Sequence, residues 1–201
     1  LCQENGTRLL LISAPKTTLD VVSYETYFDD YAYFKQLAAQ YGASYYDFNL
    51  AKPELFENKE PDYHKDFTHM NAAGGHAFSL SMAKFLAMLD AGQDVESLFE
   101  TPSEYLVAVN YITNVYLTPE VHPDKILLLA GSYHGPSVQA EYEFWVKAPG
   151  ESEYSRVSAY STRSWTEYAA AEHGTYQFRV NARIVGSSAD FERYYECSVD
   201  F

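Results

Sequence analysis

The stretch "DFTHMNAAGG", residues 66 to 75, sets a carboxylate three positions ahead of an imidazole. Asp66 and His69 together can do proton chemistry. A histidine takes the proton of a serine hydroxyl as general base. An aspartate beside it holds the ring in the right tautomer and steadies the imidazolium that forms. A tight loop just before a helix can put both side chains on one rim. The competing reading is a polar loop satisfied by its own backbone. Asn71 fits the N-cap of the following helix rather than a chemical role. His64 extends the set, and His64, Asp66 and His69 together could hold zinc. His64 lies in a charged loop and reads as solvated surface, so no metal and no cofactor is assigned. His76 opens the helix, and His122, His134 and His173 sit by turns and read as surface.

The elements that must carry these residues alternate in the first half. "RLLLIS" (8–13) is a continuous apolar run, the pattern of a strand buried on both faces of a parallel sheet, and Pro15 ends it. Tyr27, Tyr31, Phe34, Ala38 and Tyr41 recur at helical steps over 24–41, with Gly42 at the C′ position. "ASYYDF" (43–48) reads as the next strand. After a proline-containing loop, Phe78, Met82, Phe85 and Leu89 mark another helix. Strand, helix, strand, loop, helix is the rhythm of an α/β domain.

In the second half the period changes to two. Val138, Ala140, Tyr142, Phe144 and Val146 alternate with polar residues, as in a half-buried antiparallel strand. "ITNVYL", "KILLLAG", "YSRVSAYS", "SWTEYAA", "TYQFRVNARIV" and "FERYYECSVDF" read as further strands, separated by turns such as "APGESE" and "GSSAD". Strands at this spacing predict a β-sandwich. A short helix is expected near 103–110. The expected division is 1–100 and 101–201.

The totals exclude some roles. Of 201 residues, 28 are acidic and 14 basic, a net charge of −14 that repels phosphate backbones and argues against nucleic acid as partner. No apolar run has transmembrane length. Cys2 and Cys197 lie far apart without metal spacing and read as free thiols, with a disulfide tying the termini as the alternative. The chain opens abruptly, without Met, close to its first strand, which suggests a piece of a longer protein.

The block Asp66-x-x-His69-x-Asn71 with Gly74 and Gly75, after "RLLLISAPK" and "LAAQYGASYYDFN", resembles the closing segment of the SGNH (GDSL-like) hydrolases, and in particular their bacterial surface branch. The resemblance covers roughly residues 7–90. It implies the C-terminal part of a three-layer α/β domain with a parallel sheet, with His69 as general base and Asp66 as its orienting partner. The family's nucleophile serine stands in an upstream Gly-Asp-Ser-like block, and its oxyanion-hole residues also lie upstream. None is recognisable here. "GSY" (131–133) and "GSS" (186–188) are in the wrong half, and no strand-to-helix elbow follows Ser13. Alone, the chain is expected to be inactive. The second half is similar to the immunoglobulin-like or fibronectin-like modules, including the triple-tyrosine type, of bacterial surface proteins. "HGTYQFRV" resembles the tyrosine-corner entry of such strands. The fold class expected is thus a partial SGNH-like three-layer α/β domain followed by an all-β immunoglobulin-like sandwich.

These resemblances imply an extracellular or cell-surface bacterial protein: the C-terminal region of an SGNH-type esterase or acyl-transfer protein. Its substrate would be an O-acyl ester of a carbohydrate or cell-wall polymer. The alternative is a non-catalytic binding or structural module, in which Trp145 and Trp165 stack on sugar rings. Packing of the indoles against a neighbouring strand or the first domain is the simpler account. Half a parallel sheet would leave an open edge, so an oligomer or a missing N-terminal half is expected to cover it.

Overall fold

The computed structural model describes residues 2–66 and 68–201 and divides them into two compact units, Leu1–Ala108 and Val109–Phe201. The division thus places the short helix α4 (Pro102–Ala108) in the first unit.

In the first unit, β1 (Leu10–Ser13) and β2 (Ser44–Asp47) pair in parallel, from Leu10↔Ser44 to Ser13↔Asp47. Between them run α1 (Thr18–Ser23), capped by the Thr17 hydroxyl, and α2 (Tyr27–Gln40). Gly42 at φ 63° turns the chain out of α2, a left-handed conformation that costs glycine no Cβ clash. The helical stripe of α2 is only partly covered. Ala38 is buried, whereas Phe34 and Tyr41 are exposed. The long helix α3 (Ala72–Asp90) presents Phe78, Met82, Phe85, Met88 and Leu89 to a core built with Tyr46, Phe48, Phe56, Val95 and Phe99. These are the three-and-four steps expected of a helix with one apolar face.

This arrangement overturns the expected fold class. No three-layer parallel α/β sheet is found among the described residues, where strand makes up 35% and helix 29% and antiparallel pairing dominates. Among the described residues β1 and β2 form the one parallel pair, and each is four residues long. A parallel sheet is a stable layer when helices cover both faces of several strands. Here β1 is half-buried along its length, not enclosed. An apolar run of six residues shows that a segment seeks burial. It does not show how many strands flank it.

The second unit is antiparallel throughout. Its strands are β3 (Ile112–His122), β4 (Lys125–His134), β5 (Ala140–Lys147), β6 (Ser155–Ser161), β7 (Trp165–Tyr168), β8 (Thr175–Ile184) and β9 (Arg193–Asp200). They form a three-stranded sheet of order β3-β4-β7 and a four-stranded sheet of order β6-β5-β8-β9. Alternate residues of both sheets enter one core. Ile126 and Leu128 come from β4, Tyr142, Phe144 and Val146 from β5, and Phe178 and Val180 from β8. Tyr176 is buried at the start of β8. Its hydroxyl donates to the Glu172 carbonyl (2.9 Å) and accepts from the Glu172 N–H (3.3 Å), tying the incoming turn to the strand as a tyrosine corner does. Gly131 on β4 faces Tyr116 on β3, and a Cβ there would lie 2.1 Å from the Tyr116 hydroxyl, so the ring rests on bare backbone. No helix among the described residues is long and apolar enough to cross a membrane.

Candidate functional site

The loop before α3 folds back on itself. His64 N–H donates to the His69 carbonyl (2.8 Å), Asn71 N–H donates to the Asp62 carbonyl (2.9 Å), and Tyr63 pairs with Met70 in an antiparallel bridge. Asp66 and His69 sit in the turn of this small hairpin. The Asp66 carboxylate is fully engaged. Its Oδ1 accepts from the backbone N–H groups of Thr68 (3.0 Å) and His69 (3.0 Å). Its Oδ2 lies 2.8 Å from His69 Nδ1, and the Thr68 hydroxyl lies 3.0 Å from the same nitrogen. A carboxylate accepting at Nδ1 selects the tautomer protonated there and leaves Nε2 as a lone-pair base. The His69 side chain is 79% exposed and that of Asp66 51%, and among the described residues none hydrogen-bonds Nε2. The structure therefore brings the two expected residues together in an orienter–base pair. The base nitrogen is open to solvent.

The Asp66 carboxyl is held well below the usual carboxylate range. The largest cause is the hydrogen bond from the His69 backbone N–H, followed by that from Thr68 and by the His69 side chain. A depressed folded-state value means that the carboxylate's contribution is complete above the unfolded value of about 3.9 and is lost only as pH falls through the lower folded one. The turn should therefore stay closed between pH 5 and 3. The Asp66 side-chain carboxyl carbon, followed by NMR across that interval, is expected to show no titration step. A midpoint near the value of a free aspartate would mean that the turn does not hold the carboxylate.

The N-cap reading of Asn71 holds. Its Oδ1 accepts from Ala73 N–H (2.9 Å) and Gly74 N–H (3.1 Å). Its amide nitrogen also donates to the carbonyls of Pro61 (2.8 Å) and Tyr63 (3.4 Å). Gly74 is required by approach rather than by φ. A Cβ there would lie 2.3 Å from the Asp62 carbonyl oxygen, a backbone atom that cannot step aside without moving the hairpin. The asparagine and glycine of the motif thus have mechanical reasons to be what they are.

Of the serines weighed as nucleophiles, Ser13, Ser132 and Ser187 are engaged elsewhere. Ser13 Oγ lies 2.7 Å from the Tyr45 hydroxyl, Ser132 Oγ lies 2.8 Å from the Tyr142 hydroxyl, and Ser187 Oγ accepts from Ala189 N–H. Among the described residues no group of three or more His, Cys, Asp or Glu is placed to hold a metal ion. His64 meets the hairpin through its backbone, not its ring.

Trp145 and Trp165 are not brought together. They lie on different sheets of the second unit, on β5 and β7. Trp145 is half-buried on the outer face of the four-stranded sheet, and its indole N–H donates to Glu143 Oε2 (2.8 Å). Trp165 is 43% exposed, but the Arg163 guanidinium lies 4.6 Å over its ring. One indole is thus fixed by a buried carboxylate and the other already carries a stacked cation.

Sequence reasoning missed a second polar centre at the ends of the parallel pair. Asp47, the last residue of β2, is buried. Its Oδ2 accepts from the Tyr27 hydroxyl (2.7 Å), and its Oδ1 accepts from the Asn49 backbone N–H (3.0 Å) and side-chain amide (2.8 Å). Asn49 in turn accepts from Lys16 N–H (2.7 Å) and donates to the Ala14 carbonyl (3.2 Å), tying the exit of β1 to that of β2. Burial, then the Asp47 carboxylate, push the Tyr27 phenol far above its ordinary value, so it stays a donor. The signal available was "DFN" itself, an Asp two residues before an Asn at a strand end, which is an Asx-turn pattern.

No protein-family model matches the sequence, and no curated protein matches it.

Proposed function

We propose that the first unit supplies the base end of a serine-dependent acyl-transfer or ester-hydrolysis site, with His69 as general base and Asp66 as its orienting partner. The single observation that carries this reading is the 2.8 Å approach of Asp66 Oδ2 to His69 Nδ1, made while both backbone N–H groups of the turn hold the other oxygen. A carboxylate so constrained serves to orient one ring nitrogen. A loop satisfied by its own backbone alone does not need the histidine. The nucleophile in this reading is a serine outside the described residues. The resemblance of the Asp66-x-x-His69-x-Asn71 block to SGNH hydrolases supports an O-acyl ester as substrate, on a carbohydrate or cell-wall polymer at a bacterial surface. That support rests on the block alone, because the described residues do not form the three-layer fold the family implies.

The test is covalent labelling of the protein expressed from its complete coding sequence. A fluorophosphonate is added, and the modified peptide is mapped by mass spectrometry. The expected result is a labelled serine outside residues 1–201 in the native protein and loss of the label in His69→Ala. Absence of label from the folded protein, or label undiminished in His69→Ala, would remove His69 from any such site.

A further inference from the structure

Resting on that reading, we propose that Asn71, Tyr63 and Asn58 are positioning residues that clasp the dyad hairpin to the ends of the parallel pair and so preset the His69 tautomer. At the tip of the hairpin the side chains of Asp66 and His69 are both exposed. A chain of hydrogen bonds runs from the hairpin away from this tip. The Asn71 side-chain amide donates to the carbonyls of Pro61 and Tyr63, on the opposite arm of the hairpin. The Tyr63 hydroxyl donates to Asn58 Oδ1 (2.8 Å), and the Asn58 amide donates to the Lys16 carbonyl (2.7 Å). Lys16 N–H donates to Asn49, whose amide is held by buried Asp47. The path from β2 to the dyad is therefore continuous, and its links are side chains that each satisfy a backbone group or one another.

The geometry also explains why Asn stands at position 71 when Ser, Thr or Asp would cap a helix as well. Those residues supply the acceptor for Ala73 and Gly74, but Ser and Thr lack an amide to reach Pro61 and Tyr63, and Asp has no donor at all. Asn alone among these caps does both.

Asn71→Ser separates the two jobs, because serine keeps the cap and loses the clasp. The full chain is studied by amide exchange and by long-range ¹H–¹⁵N spectra of the His69 ring. In the native chain the proton is expected on Nδ1. In Asn71→Ser the Ala73 and Gly74 amides should stay protected. The His64 amide, bonded to the His69 carbonyl, should exchange about tenfold faster or more, as the loss of the two Asn71 bonds to carbonyls, one of them long, implies. The ring should move to a mixture of tautomers. Tyr63→Phe should shift both readouts in the same direction by less. Native values of His64 exchange and of the His69 tautomer in Asn71→Ser would overturn the clasp. Asp66→Asn separates this from the reading beneath it. A tautomer unchanged by Asp66→Asn would mean there is no working dyad to position. A tautomer that moves in Asp66→Asn but not in Asn71→Ser would leave the dyad standing and remove only the clasp.

Discussion

Replacing Phe48 by alanine is expected to cost the first unit about 3–5 kcal/mol, the range for truncating a buried phenylalanine. Phe48 is 1% exposed and meets three other rings edge-to-face. They are Phe78 at 5.2 Å, Phe85 at 5.3 Å and Phe99 at 5.4 Å between centroids. Such pairs contribute beyond the area they bury, about 0.5–1.5 kcal/mol each, so the upper part of the range is expected. A domain's whole stability is about 5–15 kcal/mol, and a loss of this size leaves the unit marginal. The second unit's core contains none of these residues. In calorimetry the transition of the first unit should fall or vanish while that of the second stays in place. Phe48→Leu keeps most of the volume and should cost less than about 1.5 kcal/mol. A loss below that figure in Phe48→Ala would show that the four rings are not the core of the unit. The site depends on the result, since α3, whose Phe78 and Phe85 make two of these pairs, begins at the Asn71 cap that closes the dyad hairpin.

What the sequence disclosed and what it hid follow from the range of the interactions involved. Local periods were legible. The alternation Val138 to Val146 covers β5 from Ala140 to its last residue but one, and the Phe78–Leu89 stripe lies on α3. The Asp66–His69 pair was legible because three residues in a turn suffice to bring both groups together. The fold class was not. "RLLLIS" and "ASYYDF" do pair in parallel, yet neither segment states how many neighbours it has, and the expected third layer does not follow from two short strands. The Asp47 centre was hidden for the same reason. Asn49 is close in sequence, but Tyr27, Ala14 and Lys16 reach it from 20 to 35 residues away. Trp145 lies half-buried on the outer face of its strand. Its pairing with Glu143, two residues back on the same face, was available from the period of two and fixes this half-buried indole.

Asp47→Ala is expected to cost about 3–5 kcal/mol, comparable to Phe48→Ala by an entirely different route. The carboxylate is 2% exposed, and among the described residues it has no cationic partner, only the Tyr27 hydroxyl and the two N–H groups of Asn49. Removing it strands three donors in a place that water does not readily reach. Each unpaired buried donor costs about 1–3 kcal/mol, less whatever relaxation recovers. Asp47→Asn is the informative companion. Its Oδ1 can still accept from Asn49, and the Tyr27 hydroxyl can turn to accept from the new amide, so about 1 kcal/mol is expected. Urea unfolding of the two variants checks the ordering. Equal losses would mean that charge rather than hydrogen-bond geometry matters at this position, and two losses near zero would mean that solvent reaches it. The variants also report on the dyad. Asn49 holds the Lys16 N–H, the Lys16 carbonyl holds Asn58, and Asn58 holds Tyr63 of the hairpin. Loss of Asp47 frees the first link, so at temperatures where the unit is still folded the His64 amide should exchange faster in Asp47→Ala than in Asp47→Asn.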